Sequence, residues 1–255
     1  MDYQTLNPDI SHLISRHRGR EPCAQANAIV PTRVPVPRIA GITAAFPRSY
    51  ARGIHSGAER QPRRQQGRLM KVSPVPRIAG ALLFQPVPHA DERGFFSRTF
   101  DAQVARDAGV DPASFVQDSQ SRSVRGVVRG LHVRGGAGEA KLVRCSYGAI
   151  FDVIVDLRAN SPSYLNWESF ELSDTEQVSL YVPAGCAHGF QARTEPADVA
   201  YRIDRPHDPA EDISIAFDDP ELAIPWPLPV TVMSPRDQAA LPLVAALRQL
   251  RAGKG

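Results

Sequence analysis

From Ala81 onward the chain is cut into short apolar runs, each bounded by Gly, Pro, Asn or Ser, and this spacing limits the folds open to it. The runs are Ala81-Leu-Leu-Phe84, Phe95-Phe-Ser-Arg-Thr-Phe100, Gly126-Val-Val-Arg129, Leu142-Val-Arg-Cys145, Ala149-Ile-Phe-Asp-Val-Ile-Val-Asp-Leu157, Trp167-Glu-Ser-Phe-Glu-Leu172, Val178-Ser-Leu-Tyr-Val182, Gly189-Phe-Gln-Ala192, Val199-Ala-Tyr-Arg-Ile203 and Ser214-Ile-Ala-Phe217. Closely spaced strands with frequent turn residues predict an all-β sandwich or barrel, and a jelly-roll barrel is the natural choice. Helical periodicity is confined to a turn or two around Ala102–Ala108 and to Gln238–Leu250, where apolar residues recur every three or four positions. The C-terminal helix is expected to pack outside the barrel.

The first 69 residues read differently. They hold eleven arginines, no lysine and four acidic residues, a balance of +7 within a chain of net charge +3, so residues 70–255 sum to −4. Rich in Arg, Pro, Gly and Gln and without sustained periodicity, this stretch cannot bury enough apolar surface to offset its chain entropy, and a disordered extension is expected. Met70 is an alternative start, which would make the extension a mis-assigned start. A transit peptide comes second, against which Asp2, Asp9 and Glu21 count, and an arginine arm for nucleic acid comes third. The mildly acidic remainder argues against nucleic acid as a partner of the domain at 70–255. No apolar run reaches the ~20 residues of a membrane span. Three scattered cysteines, Cys23, Cys145 and Cys186, are too few for a disulfide framework or a zinc knuckle. A reducing, cytoplasmic setting is expected, with Cys145 and Cys186 buried and inert in their apolar runs.

The chemistry concentrates in two motifs. Gly126 to His132 has the G-x5-H spacing that opens a cupin metal motif, and Pro183-Ala-Gly-Cys-Ala-His188 has the P-x-G-x-x-H spacing that closes it. Metal binding needs a second histidine two positions after the first, but that position is Arg134, whose guanidinium does not coordinate a cation. No bound metal ion is expected. His132 lies between Arg129 and Lys141, cations that would favour a neutral imidazole able to act as a base if they lie close in space. Without them, a lone strand-end histidine is more often simply hydrogen-bonded. Asp237, before the C-terminal helix, is either the partner that orients an imidazole or a helix N-cap. Tyr201 is either a proton donor from the opposite face or a half-buried packing residue. For His188, a donor to substrate oxygens and a satisfied barrel histidine are equally open.

Taken together, the residues from about Met70 to Asp237 resemble the dTDP-4-dehydrorhamnose 3,5-epimerases, nucleotide-sugar isomerases of cupin-like fold. The resemblance rests on Asp91-Glu-Arg-Gly-Phe-Phe96, Phe115-Val-Gln-Asp118, Arg129-Gly-Leu-His132, Lys141-Leu-Val-Arg144, Phe151-Asp-Val-Ile-Val-Asp-Leu-Arg158, Ser161-Pro162, the segment from Pro183 to Phe190, Tyr201, Asp218-Asp-Pro220, Ile224 to Pro227, and the Ser-x-x-Asp ending at Asp237. It implies that His132 is the base, held by Asp237, that Tyr201 is the acid, and that Lys141 stabilises the enolate oxygen. Arg129 and His188 would meet substrate oxygens and the diphosphate, with Arg93 and Gln117 as further contacts to a dTDP-sugar. A homodimer working without metal or cofactor is also implied.

The chain departs from the family pattern at the nucleotide end. Arg98 stands where a glutamate is usual, Ser119 where asparagine is common, Pro206 and His207 replace a tyrosine pair, and Arg236 replaces a lysine. Ser119, Arg98, His207 and Arg236 are kept as substrate-binding candidates. These changes leave open which nucleotide is bound and whether one carbon or both are inverted. A 3- or 5-monoepimerase, a ketoisomerase on a related 4-keto sugar, a sugar-nucleotide binding protein without catalysis and a metal-dependent cupin oxygenase are the alternatives.

Overall fold

In the computed structural model, residues 70–252 are described; the expectation of a disordered extension at 1–69 falls outside them. Among the described residues, thirteen strands and three helices follow one another. They are β1 (Met70–Pro74), β2 (Leu82–Pro86), β3 (His89–Asp91), β4 (Gly94–Phe96), α1 (Ala102–Asp107), β5 (Gln117–Ser123), β6 (Val128–Arg134), β7 (Lys141–Tyr147), β8 (Ala149–Asp156), β9 (Trp167–Ser173), β10 (Ser179–Val182), β11 (Cys186–Ala192), β12 (Ala197–Ile203), β13 (Asp212–Ser214), α2 (Pro235–Gln238) and α3 (Leu243–Ala252). A six-stranded sheet in the order β1-β2-β10-β7-β12-β5 faces a five-stranded sheet in the order β13-β6-β11-β8-β9, with β3-β4 as a separate hairpin. All the pairings between named strands are antiparallel.

The alternation of side chains builds the layers. Along β8, Ile150 and Ile154 join Val143, Cys145, Leu180, Phe190 and Val199 in the core between the sheets. The intervening Val153 and Val155 point outward and pack with Leu131, Val133, Ile213, Leu243 and Ala246, so this strand is apolar on both faces. Leu243, Ala246, Leu247 and Leu250 recur at helical spacing and bring α3 onto the outer face of the five-stranded sheet, as expected. On the opposite side, α1 packs Ala105 against Phe84 and Leu142 on the outer face of the six-stranded sheet. Asp101 caps α1 by accepting from the Gln103 and Val104 amides.

Several boundaries differ from those the sequence predicts. The expected helix at 238–250 is two helices, because Pro242 has no amide hydrogen to donate and α3 begins after it. Ser234, not Asp237, caps α2, its hydroxyl accepting from the Asp237 amide, so the carboxylate of Asp237 is spared for another partner. β13 starts earlier than Ser214, where Asp212 pairs in register with Arg134. The expected strand at 95–100 is shortened to the exposed β4. β5 lies in a segment with no apolar alternation.

One close approach fixes the geometry beside the two motif histidines. β6 and β11 pair with His132 opposite His188 and an irregularity between His188 and Phe190. A Cβ on Gly130, whose φ is +127°, would fall 2.5 Å from Gly189 Cα and 2.9 Å from the His188 carbonyl oxygen. Only glycine leaves room for these two backbones to approach so closely. Gly130→Ala is expected to lower the unfolding free energy by roughly 1–3 kcal/mol, from overpacking plus backbone strain, in urea denaturation. Gly109→Ala, at a φ of +82° but with nothing within 4 Å of the added carbon, should carry the strain alone; equal losses in both would show that the contact is unimportant.

Candidate active site

Polar side chains gather where β6 and β11 face β12 and β5. His132 projects from β6 with its ring partly exposed, and its Nε2 lies 2.5 Å from Asp237 Oδ1 on α2. The Asp237 side chain is buried. Burial works against its ionised form, yet the hydrogen bond and charge of His132, with the Ser234 side chain and Arg236, outweigh it and hold the carboxyl below its usual range. The charge nearest the imidazole is therefore a carboxylate. Arg129 and Lys141, expected to flank the ring, each hold an acceptor of their own: Arg129 donates to Ser123 Oγ at 3.0 Å and to the Arg122 carbonyl at 3.1 Å, and Lys141 Nζ lies 3.0 Å from Glu139 Oε1. The physical reason is local, since both cations find acceptors near their own strands.

His188, on the neighbouring strand, is buried and its Nε2 lies 2.8 Å from Asp152 Oδ2. Asp152 is fully buried, and burial raises its carboxyl above the usual range despite the opposing charge and hydrogen bond of His188. Tyr201 comes from β12, in the facing sheet, with its ring edge-on to His188 at 6.4 Å between centroids. Its hydroxyl lies 3.1 Å from Ser121 Oγ, and burial raises the phenol, so it stays protonated through the physiological range. A proton acceptor in one sheet and a proton donor in the other suit an exchange across the two faces of a bound carbon acid.

A second group of charges borders the first. Arg134 Nη2 lies 2.9 Å from Glu139 Oε2 and its Nε 3.1 Å from Asp212 Oδ1. Asp212 also meets Arg236 Nη1 at 2.9 Å and His207 Nδ1 at 3.9 Å, while Arg236 Nε donates to Ser214 Oγ. Gln117 and Ser119 occupy β5 at the positions opposite Ile203 and Tyr201. Arg93 and Arg98 are not brought in: Arg93 pairs with Asp91 on the exposed hairpin at 2.6 Å, and Arg98 with Asp101 at 3.1 Å. Neither bonds another candidate among the described residues.

Asp152, Ser121, Glu139 and Asp212 were not singled out from the sequence as site residues. Asp152 carries a signal, a carboxylate at an inward position of an apolar strand, whereas Ser121 is indistinguishable from its polar neighbours on β5. Cys145 and Cys186 are buried as expected, and burial pushes both thiols up to about 12, which leaves them unreactive. Among the described residues no group of three or more His, Cys, Asp or Glu side chains is arranged to hold a metal ion, and no helix is long and apolar enough to cross a membrane.

Known proteins share both sequence and fold with this chain. Residues 76–245 match the family model for dTDP-4-dehydrorhamnose 3,5-epimerase. The dTDP-4-dehydrorhamnose 3,5-epimerase of Methanothermobacter thermautotrophicus is 41% identical over 169 residues, 65% of this chain and 91% of that protein. The dTDP-4-dehydrorhamnose 3-epimerase of Streptomyces niveus is 41% identical over 178 residues, 69% of this chain and 86% of its own length. NovW from Streptomyces spheroides, a 4-keto-6-deoxy sugar epimerase, superposes with a TM-score of 0.67 at 40% identity, covering 72% of this chain and 92% of NovW. With a matched segment that takes in His132, Asp237, Tyr201 and every strand from β2 to β13, the chain belongs to the dTDP-4-dehydrorhamnose 3,5-epimerase family of cupin-like isomerases.

Proposed function

We propose that the protein inverts carbons 3 and 5 of a dTDP-4-keto-6-deoxyhexose, converting dTDP-4-dehydro-6-deoxyglucose to dTDP-4-dehydrorhamnose. His132 removes the proton beside the ketone, and Tyr201 returns one to the opposite face. The observation that carries this reading is the 2.5 Å pair of His132 with the buried Asp237, which holds the imidazole in one orientation and stabilises the imidazolium that forms. Its support on the acid side is Tyr201, kept protonated by burial and mounted on the sheet facing His132. An enolate carbon is more basic than a phenolate, so proton delivery runs downhill even from a phenol held above its usual range.

Abstraction is the harder half. If the carbon acid is weaker than imidazolium by on the order of ten pKa units, the enolate lies roughly 14 kcal/mol uphill before the site contributes, at ~1.36 kcal/mol per unit. Lys141 and Arg129 offset this by presenting positive charge to the developing oxyanion, where one preorganised donor contributes roughly 3–4 kcal/mol. His188, oriented by Asp152, is a further donor to substrate oxygens. Gln117, Ser119, His207 and Arg236 are assigned to the nucleotide in this reading. Phe95 and Phe96, 62% and 67% exposed beside Arg93, support a homodimer in which a second copy covers the hairpin.

A narrower reading, inversion at carbon 3 alone, is favoured by one observation, the 41% identity to the Streptomyces niveus 3-epimerase. Incubation with a dTDP-4-keto-6-deoxyglucose in heavy water separates the two. Deuterium at carbons 3 and 5 is expected, counted by mass and located by NMR; label at carbon 3 only establishes the narrower reaction, and none at either position ends the proposal.

His132→Asn should abolish exchange at both carbons, so exchange that persists in this variant would remove His132 as the base. In Tyr201→Phe, net inversion should fall while part of the exchange survives, because abstraction precedes reprotonation. Equal loss of both would assign Tyr201 another task.

A further inference from the structure

Lys141 does not stand alone at the site. Glu139 lies two residues before it, in the connection that leads into β7, and its side chain is buried, 6% exposed. It accepts Lys141 Nζ on Oε1 at 3.0 Å and Arg134 Nη2 on Oε2 at 2.9 Å. A carboxylate so enclosed keeps its charge only when both oxygens are paired. Arg134, itself 7% exposed, donates from Nη1 to the Pro206 carbonyl at 3.1 Å and turns its Nε toward Asp212. Asp212 also pairs with Arg236, whose chain neighbour Asp237 meets His132.

From this alternation we propose that Glu139 is a positioning residue for the epimerisation: it aims Lys141, and the Glu139–Arg134–Asp212–Arg236 chain ties that lysine to the segment carrying Asp237. The inference rests on the part given above to Lys141 at the enolate oxygen. The physical need is plain. A lysine side chain has four rotatable bonds, and Lys141 opens β7 directly after the turn at Gly135–Gly138, where Gly136 and Gly138 hold φ of +58° and +77°. One of its three ammonium hydrogens bonded to a fixed carboxylate leaves two for a substrate oxygen, with Nζ already placed when the sugar arrives. Arg134 occupies the position where a metal-binding barrel would need a second histidine, and in this chain it serves as the cation that holds Glu139.

The test uses the full-length protein and steady-state kinetics on the 4-keto sugar. Glu139→Gln should lower kcat by roughly 10-fold to 100-fold while KM stays within about threefold, since a misaimed donor weakens the transition state more than ground-state binding. Combining it with Lys141→Met should add no further loss beyond that of Lys141→Met alone. Because Glu139→Gln strands Arg134 and threatens folding, the double variant Arg134→Gln/Glu139→Gln, whose amides can bond each other, should fold and show the same fall in kcat. Parental kcat in a folded Glu139→Gln or double-amide variant, or losses that multiply with Lys141→Met, overturn the positioning role. Parental kcat in Lys141→Met by itself overturns instead the task given to Lys141, so the two failures are told apart.

Discussion

The contact of His132 with Asp237 binds together parts of the chain 105 residues apart, and the rest of the site is arranged around it. It requires β6 to carry the imidazole inward, a helix cap at Ser234 that leaves the Asp237 side chain unspent, and a buried setting in which a carboxylate is worth most to an imidazolium. None of these works alone. Had Asp237 served as the cap, its carboxylate would satisfy backbone amides and the ring would lose its partner.

Electrostatics around this pair follow a principle of alternation. Each of the cations near the site is met by an acceptor, some of them shared: Lys141 and Arg134 by Glu139, Arg134 and Arg236 by Asp212, Arg129 by Ser123 and a carbonyl. A cluster of unpaired cations would attract a diphosphate but repel itself and drift. Pairing gives up some net attraction in exchange for fixed directions, which is what charge stabilisation of a short-lived enolate needs. Deeper in the barrel His188 meets Asp152 through Oδ2 alone beside Tyr201, and Asp152 Oδ1 has no hydrogen-bond partner among the described residues.

Much of the barrel is legible in the sequence, because a nearly continuous apolar run such as Ala149 to Leu157, bounded by turn residues, suits a strand buried on both faces. One strand outside the predicted runs has no apolar residue to mark it. β5 reads Gln-Asp-Ser-Gln-Ser-Arg-Ser, yet it pairs along its whole length with β12 and supplies the hydroxyl that meets Tyr201. Its place is set by partner strands rather than by its own hydrophobicity. The break at Pro242 was equally a local fact overlooked in favour of the periodicity around it.

The residue types at His132, Tyr201, Lys141 and Asp237, their spacing, and the all-β class were determined by the sequence, since each depends on short-range chemistry or strand period. Which charge sits against which was decided only by the tertiary structure. Sequence proximity says nothing of the carboxylate that meets His132; folding brought it from 105 residues away, because neighbours in a folded chain come from distant segments and each side chain bonds an acceptor close in space, not in order.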